Sequence, residues 1–332
     1  MDLSSFVFDL PNDLIATRPS KPRGSSNLLV VNRKSEKIDI TKFENITNYI
    51  TDEDLLIFND TKVDPVLLFA KDEKNNSREI LLVNEIDQRT WTVLTKNPKN
   101  TRISFCNGTK GYLRKINGEW RIVFDCESSE VIQECGKMPI PPYIGRSPDD
   151  SDKIDYQTVY AKKAGSIAAP TAGLHFSNEL IKSMKDNGVD IDYLTLHVGL
   201  GTFLPVKEKD IRNHKMHQER FFIHKELIEK IKKNKKENKR IISVGTTTLR
   251  AIESCQFDDD YANKWVGTDL FIRDGFQFNF VNGLITNFHL PKSTLLILVS
   301  AFLGYELTMK CYKLAIKERL NFYSYGDAML II

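Results

Sequence analysis

The sequence predicts an α/β protein, a three-layer α/β/α domain with an inserted small antiparallel β-barrel. Three observations predict it. Strands alternate with helices early and late in the chain, which is the pattern of a covered, largely parallel sheet. Between Glu79 and Cys126 the texture changes to closely spaced β segments with no helical period. After them a proline-rich stretch, MPIPPYIGRSP, reads as the linker back into the larger domain.

The elements follow in order. DLLIFND at 54–60 is a short apolar run closed by turn residues, as a strand buried on both faces requires. EILLVNEI, TWTVLTK, TRISFC, GYLRKI and EWRIVFDC are rich in β-branched and aromatic residues and predict five or six strands. Asn107-Gly108 and Asn117-Gly118 separate three of them, and both residues of such a pair tolerate the positive φ of a tight hairpin. Strands this short would leave open edges in a flat sheet, so closure into a barrel is expected. The expected division is a discontinuous α/β domain over 1–68 and 148–332, with the barrel over 69–147. In the second half NELIKSMKDNG ends in Gly188, as a helix commonly does, and DIDYLTLHV is the next strand. KELIEKIKKNKKENK places Leu227, Ile228 and Ile231 on one helical face and leads into the strand RIISVG. The apolar run over 295–303 is about half of what spans a bilayer, so a buried helix is expected there.

Composition bounds the function. With 332 residues, 41% hydrophobic and 27% charged, the chain is globular and long enough for two domains. A net charge of +3 permits an RNA partner without requiring one. The five cysteines are scattered without a paired short spacing, which indicates neither a disulfide framework nor a thiolate zinc site and suggests a reduced, cytoplasmic protein. The amino terminus lacks the basic and apolar regions of a signal peptide. The lysines between Lys230 and Arg240 invite a phosphate-binding reading, but Glu226, Glu229 and Glu237 favour a solvated helix face.

Candidate site residues stand where polar groups interrupt an apolar pattern. In LITNFHLPKSTL a His, an Asn and a Pro do so ahead of the apolar run, and GSIAAPTAGLHF and LHVGLGTFLPV have the same character. His175, His197 and His289 occupy comparable positions before turns, which suggests convergence on one pocket. His214 and His217 stand three apart with Glu219 just beyond. Two histidines fall short of a zinc ligand set, so proton transfer is favoured over metal binding. Residues 245–250, GTTTLR, follow a strand and open a helix, where amides and hydroxyls suit an anion or simply cap the helix. Gly199, Gly201 and Pro205 would let backbone approach a ligand or form a tight turn. There is neither a P-loop nor a GxGxxG motif.

Together with SFVFDLPNDLIATRP at 5–19, FNDTKV, MPIPPYIGR, YQTVYA, VGTTTLRAIES, DLFIRDGFQF and the closing SYGDAML, these blocks make a family resemblance that runs nearly end to end. The chain resembles the S-adenosylmethionine:tRNA ribosyltransferase-isomerases of queuosine biosynthesis. Asn27 stands where the family usually has a basic residue, Asp274-Gly275 where it has Pro-Gly, and residues 71–131 match only loosely. The resemblance implies a barrel inserted into a larger domain. It also implies transfer of the ribosyl group of S-adenosylmethionine to the 7-aminomethyl arm of a deazaguanine at the tRNA wobble position, with rearrangement to an epoxycyclopentanediol and loss of adenine and methionine. Such chemistry needs a base beside the sulfonium, an acid for the adenine and donors for a developing alkoxide. The expected proton-transfer residues are His214, His217 and Glu219, with His175 and His197 as alternates. Thr171, Gly173, Thr246, Thr247, His289 and Asp327 are expected to bind the co-substrate. No metal and no cofactor beyond S-adenosylmethionine is expected. The partners are S-adenosylmethionine and tRNA, without a membrane, and the chain is expected to act as a monomer. A metal-dependent hydrolase and a non-catalytic RNA-binding protein are the rival readings.

Overall fold

The computed structural model describes residues 2–199, 201, 206, 208, 210–255 and 261–332. The chain opens with β1 (Asn27–Val31), β2 (Ile38–Lys42), β3 (Asp54–Asn59) and β4 (Thr61–Val63). There follow β5 (Leu67–Asp72), β6 (Ser77–Asp87), β7 (Thr90–Thr95), β8 (Thr101–Phe105), β9 (Lys110–Ile116) and β10 (Glu119–Phe124), then α1 (Ser128–Cys135) and the single turn α2 (Asp152–Asp155). Next come β11 (Lys163–Ser166), α3 (Asn178–Asp186), β12 (Asp190–His197), β13 (Glu219–Phe222), α4 (Lys225–Lys236) and β14 (Arg240–Val244). The chain continues through α5 (Thr246–Ser254), β15 (Trp265–Thr268), β16 (Gly283–Asn287), α6 (Thr294–Leu303), α7 (Tyr305–Lys317) and β17 (Ala328–Ile331).

Two compact units result. The first comprises Met1–Lys62, Pro142–Gly145 and Gln157–Ile332, the second Val63–Pro141 and Arg146–Tyr156. The second starts before 69 and runs past 147, because β5 begins at Leu67 and Arg146–Tyr156 belongs to it, while Pro142–Gly145 belongs to the first.

The first unit is built on a nine-stranded sheet in the order β15-β13-β12-β3-β14-β16-β17-β1-β2. β12, β3, β14 and β16 run parallel, and β17 lies antiparallel to β16. The alternation of strand side chains divides the apolar residues between two cores. Leu55 and Ile57 of β3 join Leu227, Ile228 and Ile231 of α4 on one face. Leu56 and Phe58 join Ile181 and Met184 of α3 on the other. Helices on both faces make this the expected three-layer arrangement. α6 is buried in the first core, and no single helix among the described residues is long and apolar enough to cross a membrane.

In the second unit β5 to β10 close into the expected barrel, in the order β10-β7-β6-β5-β8-β9. Leu68, Ala70, Ile80, Leu82, Ile103 and Leu113 are buried in it. The two Asn-Gly turns differ. Asn117 and Gly118 both take positive φ, at 50° and 87°, in a two-residue hairpin between β9 and β10. At Asn107-Gly108 only the glycine does so, because four residues separate β8 from β9 and a longer loop needs one left-handed residue.

The expectation of unpaired cysteines is corrected here. Helix α1, which the strand pattern did not foretell, returns Cys135 to Cys106, so that their sulfurs lie 2.18 Å apart as a disulfide across 29 residues. Cys126, Cys255 and Cys311 are free.

Candidate active site

The parallel strands end on polar residues. Asn59 closes β3, and its side chain pairs with β12 as a strand backbone would. Its Oδ1 accepts from the amides of Thr61 (3.1 Å) and Leu196 (2.9 Å), while Nδ2 donates to the Leu196 carbonyl at 2.9 Å. At the end of β14 the chain enters α5, whose first amides have no acceptor within the helix. Thr246 and Thr247 of that turn line a cavity together with Thr171, Val198, Asn287 and His289. An adjoining cavity shares Thr171, Asn287 and His289 and adds Tyr143, Tyr323 and Ser324. Ligands of open α/β sheets bind at such carboxyl ends.

Asn287, at the end of β16, joins the two cavities. Its Oδ1 accepts from the Thr171 hydroxyl at 2.9 Å, and its Nδ2 donates to His175 Nε2 at 3.1 Å. Nε2 of His175 is therefore an acceptor, so the ring proton sits on Nδ1 and is donated to Ser26 Oγ at 2.8 Å. Burial, and secondarily the charge of Arg23, lowers the His175 pKa to about 4. The ring, stacked 4.9 Å from Phe43, is neutral at pH 7 and orients Asn287 and Thr171. His289 lines both cavities; burial lowers its pKa to about 3, and Nε2 lies 2.8 Å from the Thr286 hydroxyl.

His197 is turned elsewhere, although its neighbour Val198 lines the cavity. Its Nδ1 is 2.8 Å from Thr61 Oγ1, its ring stacks on Trp265 at 4.6 Å, and burial followed by the charge of Arg220 lowers its pKa. Of the three histidines expected to converge on one pocket, His289 lines these cavities, His175 lines neither and reaches them only through its bond to Asn287, and His197 stands apart.

His214, His217 and Glu219 have different partners. His214 Nδ1 lies 3.2 Å from Glu208 Oε2, with its ring edge toward Phe271. The His217 ring lies against Gly201, where a Cβ would come within 2.4 Å of it. Glu219 is 5% exposed and forms a buried ion pair with Arg250, itself 2% exposed. Its other oxygen accepts from the Gly199 amide at 3.0 Å, so the carboxylate anchors the segment leaving β12. Pro205 lies outside the described residues.

Two expected co-substrate residues face inward. Gly173 carries no side chain because one would overlap the Tyr160 hydroxyl, 1.9 Å from its Cβ position. Asp327 is 1% exposed and accepts from the Asn27 amide and side chain (2.6 and 3.1 Å) and from the Asn321 amide at 2.6 Å. Asn27, set apart in sequence as a departure, is thus its partner and is itself bonded by Lys42 Nζ at 2.9 Å. Ser26, Asn59, Arg250 and Asn287 were absent from the expected set. Only Asn287 carried a signal, as a polar residue breaking an apolar strand. Among the described residues no group of three or more His, Cys, Asp or Glu is placed to hold a metal ion.

Helices on both faces of a mixed sheet, with hydroxyls, amides and a helix amino terminus converging at the ends of its parallel strands, define an α/β protein whose cavities suit a small polar ligand. The sequence model of the family described as queuosine biosynthesis protein matches residues 3–331, and the chain belongs to that family. It is 45% identical to the S-adenosylmethionine:tRNA ribosyltransferase-isomerase of Halothermothrix orenii over 343 residues, covering 100% of both chains. It is 42% identical over 352 residues to the protein of the same name from Staphylococcus haemolyticus, again covering 100% of both. A crystal structure of the S-adenosylmethionine tRNA ribosyltransferase from Thermotoga maritima superimposes with a TM-score of 0.59 at 33% identity, covering 99% of this chain and 100% of that one.

Proposed function

We propose that the chain is a transferase that moves the ribosyl moiety of S-adenosylmethionine onto 7-aminomethyl-7-deazaguanine at the tRNA wobble position and isomerises it to epoxyqueuosine, releasing adenine and methionine. The observation that carries this is full-length identity of 45% to a relative of that name. The cavity chemistry agrees with it. Thr246, Thr247 and the amides opening α5 suit the carboxylate of the methionine part. Thr171, held by Asn287 and through it by neutral His175, offers a fixed hydroxyl to a sugar oxygen, and His289 stands beside it as an uncharged donor or acceptor.

The proton transfers are assigned to His214 and His217, imidazoles being the side chains most often used for general acid–base work. Glu219 holds the segment that follows β12 and fixes the backbone at Gly199; we assign it positioning rather than proton transfer. His175 has the same kind of role. We also infer that the enzyme acts as a monomer, with S-adenosylmethionine as its only small co-substrate.

Adenine release from S-adenosylmethionine tests the reading. It should depend on tRNA bearing the aminomethyl base and survive excess EDTA. His217→Ala should slow single turnover by about two to four orders of magnitude. Adenine release without that tRNA, or loss of turnover on chelation, refutes the proposal.

A further inference from the structure

Three of the lysines most conspicuous in the sequence have carboxylate partners within salt-bridge distance, whereas a scattered group elsewhere has none. On α4, Lys230 bridges Asp190 and Asp192 at 3.0 and 2.7 Å, and Lys225 and Lys233 lie 3.9 Å from Glu229 and Glu237. The other arrangement gathers at the sheet edge formed by β12, β13 and β15. Register sets His197 opposite Arg220, Arg220 opposite Gly267 and Phe222 opposite Trp265. Trp265, 38% exposed, stacks on His197, and the Arg220 guanidinium lies 5.7 Å from its ring centroid. Further along β12, Lys162 and Lys185 place their ammonium groups 5.6 and 5.9 Å from the Tyr193 ring. Lys163, exposed on β11, stands beside Lys162, and both backbone amides donate to the Asp60 carbonyl. Among the described residues Lys162, Lys163, Lys185 and Arg220 have no ion pair. The Asp60 carboxylate beneath them is 7% exposed and accepts from Thr195 Oγ1 at 2.6 Å.

We propose that this edge, from Trp265 through Arg220 to Lys162 and Lys163, is a docking strip for single-stranded RNA, with a base stacked on Trp265 and phosphates on the cations. The inference rests on the tRNA reading above and says where the polynucleotide lies outside the cavity. Cations alone would fit many anionic partners. A partly exposed tryptophan held against a second ring, with an arginine beside it and lysines free of salt bridges following, is a combination suited to unpaired nucleotides. A phosphate strand crossing it would release counterions and make affinity strongly salt-dependent.

Binding of the aminomethyl-deazaguanine tRNA is measured across a salt series, with melting temperature and S-adenosylmethionine binding as controls for folding. K162E/K163E/R220E should lower the slope of log affinity against log salt by about two to three units, roughly one per lost phosphate contact. K232E/K233E/K236E on α4 should leave the slope near that of the unaltered protein. Trp265→Ala should weaken binding roughly tenfold at every salt concentration, while Trp265→Phe keeps most of the affinity. An unchanged slope in a folded edge variant overturns the strip and leaves the tRNA reading intact. If that variant fails to fold, K163E/K185E gives the same answer, a lowered slope supporting the strip and an unchanged one overturning it. Failure of the unaltered protein both to bind the tRNA and to release adenine overturns both.

Discussion

Replacing Glu219 by Gln, alone and together with Arg250→Met, separates a positioning carboxylate from a catalytic one. Glu219→Gln is nearly isosteric and keeps an oxygen for the Gly199 amide, so its main effect is to remove a charge. Arg250 would then be a buried cation whose other bond is Nε to the Leu270 carbonyl at 2.9 Å, with Nη2 lacking a partner among the described residues. Breaking one side of a buried pair costs about 3–5 kcal/mol, whereas replacing both charges by apolar groups of similar size is often close to neutral. At about 2–4 °C per kcal/mol, the single variant should melt on the order of ten degrees lower, and E219Q/R250M should recover most of the loss. Thermal melting gives the stabilities, and single-turnover adenine release is normalised to folded protein. A positioning carboxylate predicts that turnover per folded molecule falls modestly in E219Q and improves in the double variant. Two results would refute this reasoning. One is a double variant no more stable than the single. The other is a turnover loss of about a hundredfold or more in both, which would make Glu219 a proton carrier after all.

Two further outcomes are expected. His175 takes up a proton near pH 6.5 when unfolded but only near 4 in the fold, so the unfolded state binds more protons between those values and stability falls as pH drops through that window. The shift amounts to about 3 kcal/mol, and His175→Asn should flatten the dependence of the urea midpoint on pH between 6.5 and 4 by close to one proton; an unchanged pH slope contradicts the buried neutral ring. Gly173→Ala should displace the Tyr160 hydroxyl and lower stability by roughly 1–3 kcal/mol, measured by denaturant titration, and a variant as stable as the parent would disprove the close approach.

Much of the fold was legible because its signals are local. The period of α4, the glycine after α3 and the Asn117-Gly118 hairpin each fix an element from a few neighbouring residues. Helix α1 was missed because eight residues carrying a β-branched pair hold too little period to separate helix from strand. The site was legible by type rather than by partner. His175 and His289 stand out as polar residues in apolar runs, but the bond from Asn287 to His175 crosses 112 residues and exists only after β16 is laid beside the 171–175 turn. Glu219 looked like a general base beside two histidines. Its pairing with Arg250 is set by α5 packing against the sheet, which no spacing in the sequence encodes.

The position of β17 constrains the order in which the molecule can be made. It lies between β16 and β1, pairing Leu28 with Ala328 and Ile331 with Leu284. The β1–β2 hairpin therefore leaves the ribosome early and must wait for about 300 further residues before anything joins it to the rest of its sheet. The barrel strands, whose partners lie close in sequence, can pair soon after synthesis. During that interval β1, with Leu28, Leu29 and Val31 later fully buried, presents an unpaired apolar edge. A nascent chain of this protein is thus most exposed to aggregation, and most in need of chaperones, through the long interval between translation of its first strand and its last.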